Sequence, residues 1–100
     1  MLEKIKVMIS QPMRGKTNEQ IREERAELVK RLTEQGYEVV DTVFDKAPDG
    51  VDEAIYYLAE SIKFIGQVDM VVFMKDWEKA RGCKVEHQVA VEYGKEVMYC

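Results

Sequence analysis

The feature that most constrains this chain is a regular alternation of short apolar runs with amphipathic, helix-patterned stretches, each separated by turn residues. Lys4 to Ser10 reads as a strand, apolar enough through Ile5, Val7, Met8 and Ile9 to be buried on both faces. Thr17 opens T-N-E-Q, a capping-box pattern in which Gln20 reaches back to the cap residue. The helix that follows carries Ile21, Leu28, Val29 and Leu32 at helical spacing, with charges elsewhere, and ends at Gly36. Tyr37 to Phe44 reads as a second strand, and Asp45 to Gly50 as turn chemistry. From about Asp52 a second helix is expected to bury Ile55, Leu58, Ala59, Ile62 and Ile65. Asp69 to Met74 is a third strand, Lys75 to Arg81 a loop, and Gly82 to Tyr93 a third helix stopped by Gly94. Glu96 to Cys100 makes a short last strand.

Four strands alternating with three helices imply parallel pairing through right-handed crossovers. The expected fold is a small Rossmann-like three-layer α/β sandwich with strand order 2-1-3-4, a single domain over residues 1–100. Ligands of such sheets bind beyond the carboxyl ends of the strands, where strand order reverses. Here that point lies between the first and third strands, beside the segments Ser10 to Lys16 and Lys75 to Arg81. Each leads into a helix N-terminus, which attracts anions through free N–H groups and the helix dipole.

A net charge of −4, with acids spread along the chain, argues against a general binder of nucleic-acid polymers or anionic membranes. No apolar run approaches membrane-span length, and MLEKIKVMIS lacks the apolar region of a signal peptide. Cys83 and Cys100 have neither zinc-type spacing nor the density of a disulfide scaffold, so a reduced, cytoplasmic protein is expected.

S-Q-P-M-R-G-K-T, residues 10 to 17, misses the P-loop pattern because Ser10 replaces its first glycine. Ser10 and Pro12 resist wrapping around phosphates, and no acid is well placed for magnesium. A plain strand-to-helix turn with solvated Arg14 and Lys16 is one reading. The preferred one is an anion-binding loop of another kind, with two cations beside a helix start.

The third helix is more informative. On a helical wheel Glu86 falls at the centre of the apolar face, with Gly82, Cys83, Val89, Ala90 and Tyr93 around it. Lys84, Gln88 and Glu92 lie well off that face, and His87 lies to one side. A carboxylate aimed at a core is costly unless it is paired or keeps a wet pocket. In the second turn of a helix that starts at the ligand cleft, Glu86 suits attack on an electrophilic carbon or acid–base work. The alternative is a structural glutamate bonded to Ser10, Arg14 or backbone donors.

Cys83 shares the inward face at the helix start, where a thiolate is favoured, but it lacks a base partner and reads as a small core residue. His87 is expected at the surface. Trp77 covers a ligand or a subunit contact, or leans on the sheet edge. Asp69 lies at the wrong end of the sheet for chemistry, whereas Asp41, Asp45, Asp76 and Glu78 are candidates for a second acid. Tyr56 and Tyr57 flank the second helix.

The loop I-S-Q-P-M-R-G resembles the A-G-P-M-type loop after the first strand in the nucleoside 2-deoxyribosyltransferase-like superfamily. G-C-K-V-E-H-Q-V-A-V-E-Y-G-K-E-V is similar to that superfamily's G-x-x-x-E-x-x-x-A-x-x-x-G-K-x-V segment, with Glu86, Ala90, Gly94, Lys95 and Val97 matching. The resemblance runs through the whole chain, which in length is similar to small, often phage-associated members. It implies cleavage of the N-glycosidic bond of 2-deoxyribonucleosides or their 5′-monophosphates, with Glu86 as nucleophile. It also implies transfer of the sugar to water or to a second base, without metal or other cofactor. Ser10, Gln11, Met13, Arg14 and Gly15 would line the substrate site from the first loop, and Asp76, Trp77, Gly82 and Cys83 from the third-strand side. Arg14 would hold a 5′-phosphate. Gln11 stands where the family has glycine, and Ser61 where an aspartate is expected. A homo-oligomer that completes the shallow site is expected. The rivals are a non-catalytic nucleotide-binding module and a structural or partner-binding domain.

Overall fold

The computed structural model describes residues 4–44 and 46–100. Asp45, one of the second-acid candidates, therefore lies outside the described residues. Along the chain follow β1 (Lys6–Ser10), α1 (Asn18–Glu34), β2 (Glu38–Val40), α2 (Glu53–Ile65), β3 (Met70–Phe73), α3 (Arg81–Glu92) and β4 (Glu96–Tyr99). The strands form one sheet in the order β2-β1-β3-β4, every pairing parallel. This is the Rossmann-like sandwich that the alternation predicts, in the expected strand order 2-1-3-4.

The pleat sends alternate side chains to opposite layers. Val7, Ile9, Met70 and Val72 pack against Leu28 and Leu32 of α1. Met8, Val71 and Phe73 pack on the other side with Ile65 and Ala90, from α2 and α3. All four residues of β3 are buried, because helices cover both faces of the central strands. The carboxyl end of β1 thus lies between α1 on one side and α3 on the other.

Local chemistry sets the boundaries. Thr17 caps α1 with both bonds of the capping box. Gly36, which follows α1, has φ +95, a left-handed conformation that glycine adopts freely. Asp52 caps α2 by accepting from the Ile55 N–H at 3.1 Å. The first strand begins at Lys6 rather than Lys4. The second is much shorter than its apolar run predicts, Glu38–Val40 instead of Tyr37 to Phe44. Asp41 ends it: its Oδ1 accepts from the Val43 N–H at 3.1 Å, an Asx-type turn that takes the chain off the ladder.

Three burial expectations are corrected. Ile55 is 65% exposed and Ala59 is exposed, while Ser61 and Ile65 are the buried residues of α2. The cause is that α2 packs chiefly on α3, so only its last turns reach the sheet. Tyr93 is 78% exposed, because α3 stops at Glu92 and the turn to Gly94 breaks the helical phase. The loop after β3 contains a 3-10 turn at Trp77–Lys79.

Candidate active site

Most of the buried polar side chains among the described residues gather at the carboxyl end of β1. Ser10, Gln11, Arg25, Thr42 and Glu86 are all buried, and hydrogen bonds or short-range charge effects connect them. Ser10 is the last residue of β1, and its Oγ donates to Glu86 Oε1 at 3.1 Å. Gln11 follows it. Its Oε1 accepts from Arg25 Nε, and its Nε2 donates to the Ile21 carbonyl at 3.2 Å. Arg25 Nη1 donates to Thr42 Oγ1 at 3.2 Å, and Thr42 Oγ1 donates in turn to the Ile9 carbonyl at 3.5 Å. The loops after β1 and β2 are thereby tied to α1, and β1 is tied to α3.

Glu86 is 7% exposed. Burial pushes its carboxyl up from 4.5 to about 7; the Ser10 hydroxyl bond and the charge of Arg25 act the other way but do not cancel the loss of hydration. Near neutral pH this group can therefore hold or release its proton at small cost, a property suited to a nucleophile or an acid–base group. Cys83 is also buried, and its thiol is pushed up to about 11, mainly by desolvation, with the Ser10 bond opposing and Glu86 adding to the rise. It stays protonated, the role of a small core residue, and the helix start does not rescue a thiolate.

The residues expected to line the site do not all come together. Ser10, Gln11 and Cys83 belong to the buried cluster with Glu86, and Gly82 is half-buried in the first turn of α3. Met13 and Gly15 shape the turn after β1: the Met13 carbonyl accepts from the Lys16 N–H, and Gly15 has φ +79. Arg14 at this turn is exposed, and Lys16 pairs with Glu24 at 2.9 Å rather than standing free for an anion. Asp76 is exposed, with φ 70, and pairs with Lys79 at 3.4 Å. Neither Asp76 nor Glu78 is bonded to Glu86, so no second acid joins it among the described residues. Asp41 pairs with Arg22 at 3.2 Å. Asp69 accepts from the Lys6 N–H at the amino end of the sheet, a structural role, as its position predicts.

Trp77 and His87 form a separate group. The Trp77 and His87 rings stack with centroids 4.3 Å apart, and Phe73 and Tyr99 close the cluster. His87 Nε2 lies 2.6 Å from the Tyr99 hydroxyl. The expectation of a surface histidine is corrected: His87 is half-buried, because the Trp77 ring covers its side of α3. Trp77 thus leans on the sheet through Phe73 and Tyr99. Tyr57 uses its hydroxyl to accept from the Ala47 N–H at 3.1 Å.

Arg25 and Thr42 were not among the residues singled out by sequence reasoning. The signal was present for Arg25. It lies four residues after Ile21 and three before Leu28, on the stripe that α1 buries. The wheel argument that picks out Glu86 picks out Arg25 as well.

Residues 5–99 match the model of a family described as Domain of unknown function (DUF4406). The chain belongs to this family. A comparison with curated proteins finds no match. Within this DUF4406 domain, no group of three or more His, Cys, Asp or Glu side chains among the described residues is arranged to hold a metal ion. No helix among them is long and apolar enough to cross a membrane.

Ser10 supplies the bond that favours the charged form of Glu86. Ser10→Ala is therefore expected to raise the Glu86 carboxyl further above about 7, as read by carbon-13 NMR titration of the carboxyl signal. An unchanged or lower midpoint would mean that Ser10 does not set the charge state of Glu86.

Proposed function

We propose that this DUF4406 domain cleaves the N-glycosidic bond of a 2-deoxynucleoside or its 5′-monophosphate, as a hydrolase or a deoxyribosyltransferase, with Glu86 as nucleophile. A Glu86 carboxylate oxygen attacks the anomeric carbon. The carbon–nitrogen bond breaks, and its electron pair leaves with the base, which takes a proton. Water or a second base then attacks the same carbon and releases the carboxylate. The transition state carries oxocarbenium character, and a carboxylate in a dry setting stabilises that positive charge strongly.

The observation that carries this reading is a buried glutamate at the carboxyl end of a parallel sheet, hydrogen-bonded by the residue that ends β1 and poised near neutral pH. Supporting it is the match of Glu86, Ala90, Gly94, Lys95 and Val97 to the segment of the nucleoside 2-deoxyribosyltransferase-like superfamily. The exposed apolar side chains Ile55, Val85 and Val91 on α2 and α3 suit the homo-oligomer that belongs to the same proposal.

A second reading is favoured by one specific observation. Glu86 is bonded and closed in, as a structural glutamate would be. On that reading the domain binds a nucleotide without turning it over. Chromatography of free base, after incubation with 2′-deoxynucleosides and their 5′-monophosphates, separates the two. The enzyme releases base from at least one member. The binding module releases none while nucleotide still raises its melting temperature, and that outcome would overturn the catalytic proposal.

A further inference from the structure

Arg25 carries an unused hydrogen-bond donor inside the molecule. The residue is 4% exposed. A guanidinium keeps its charge in proteins and offers five N–H donors in a rigid fork. Nε is taken by Gln11 and Nη1 by Thr42. Nη2 is buried and has no hydrogen-bond partner among the described residues. Gln11 cannot turn to help, because its own amide nitrogen is committed to the Ile21 carbonyl.

The charged groups that act on Arg25 do not fill this gap. They are Asp41, Arg22 and Glu86. Asp41 spends one oxygen on Arg22 and the other on the Val43 N–H. Arg22 repels. Glu86 is bonded to Ser10, and it acts on Arg25 through space without bonding to it. A buried cation with an unsatisfied N–H is costly, and an anionic oxygen relieves both deficits at once.

We propose that Arg25 is an anion-binding residue: its Nη2 donates to an oxygen of a phosphate-class group on the ligand, between the loops that follow β1 and β2 and beside Glu86. Choosing phosphate among oxyanions rests on the nucleotide reading above; the need for an anion does not. This assigns the phosphate to a buried arginine on α1 in place of the exposed Arg14, where the family resemblance puts it. Gln11 and Thr42 hold two of the three guanidinium nitrogens before the ligand arrives, and admitting an oxygen to the buried Nη2 requires the side chains around it to move.

The test is a titration of the wild-type protein with inorganic phosphate, and then with a 2′-deoxynucleoside 5′-monophosphate, against chloride at equal ionic strength. The readout is the nitrogen-15 guanidinium spectrum, in which a buried Arg25 exchanges slowly. Saturable shifts of the Arg25 Nη signals are expected. Arg25→Lys keeps the charge and loses the fork, and should weaken monophosphate binding by about tenfold or more, and by a larger factor than it weakens nucleoside binding. Arg25 signals that stay fixed while the monophosphate binds, with Arg14→Ala abolishing that binding, would overturn the assignment and leave the nucleotide reading standing. Absence of any response to phosphate, nucleotide and nucleoside together would remove both.

Discussion

Glu86→Gln should be more stable than the parent protein at pH 8 and lose that advantage at pH 4. The folded protein holds the Glu86 proton up to about 7, against 4.5 for an ordinary glutamate. Between those values the unfolded chain has given up a proton that the folded chain keeps. The folded state binds more protons there, so stability falls as pH rises through the window and levels off above it. Over the whole window the effect is about 3 kcal/mol. Glutamine has nearly the same shape, still accepts the Ser10 hydroxyl bond through its carbonyl oxygen, and does not titrate. Urea unfolding of both proteins from pH 4 to pH 8 measures the difference directly. Parallel stability curves across that range would mean that Glu86 titrates like a surface glutamate.

Much of this architecture is legible in the sequence for reasons that are local and repeated. Runs such as Val7 to Ile9 and Met70 to Phe73 have no polar face, so only a sheet covered on both sides accommodates them. Parallel connectivity then follows from the crossovers, whereas 2-1-3-4 is one of several orders that right-handed crossovers allow, and the sheet adopts it. Glu86 is legible because a carboxylate stands at the centre of an otherwise apolar helix face. What escapes the pattern depends on single side-chain bonds or on contacts between distant segments. Asp41 ends β2 through one bond to the Val43 N–H, which the apolar run Tyr37 to Phe44 does not disclose. Ile55 fits the helical stripe but is exposed, because helix packing on α3 decides which turns of α2 meet the sheet. His87 is covered by Trp77 from a loop ten residues away, a contact that periodicity does not encode. Arg25 escapes a pattern that assigns the charges on α1 to solvent as a class, although its position on the stripe marks it as different.

On the proposed mechanism, Glu86→Ala should lose base release by a factor of about ten thousand or more, because the ester intermediate could no longer form. The fold should persist. The substitution removes a buried, partly charged group and leaves one Ser10 hydroxyl to be hydrated, a loss of about 1–3 kcal/mol offset by relief of the desolvated carboxyl. Glu86→Gln should be equally inactive despite its higher stability, which separates the chemical role of the carboxylate from any structural one. Ser10→Ala should retain turnover but shift its pH dependence upward, since attack requires the ionised carboxylate and Ser10 favours that form. In the wild type the acid limb of the rate profile should fall near pH 7, well above that of an ordinary glutamate. Full turnover in the alanine variant would assign Glu86 to the framework rather than to the reaction.

The central claim is a covalent bond between Glu86 and the substrate's sugar, and mass spectrometry of the acid-quenched protein during turnover tests it most directly. The account predicts an added 2-deoxyribosyl group, or its 5-phosphate, on the peptide that contains Glu86, absent from Glu86→Gln. Steady release of base with an unmodified Glu86 peptide, or an adduct carried by another residue, would contradict it.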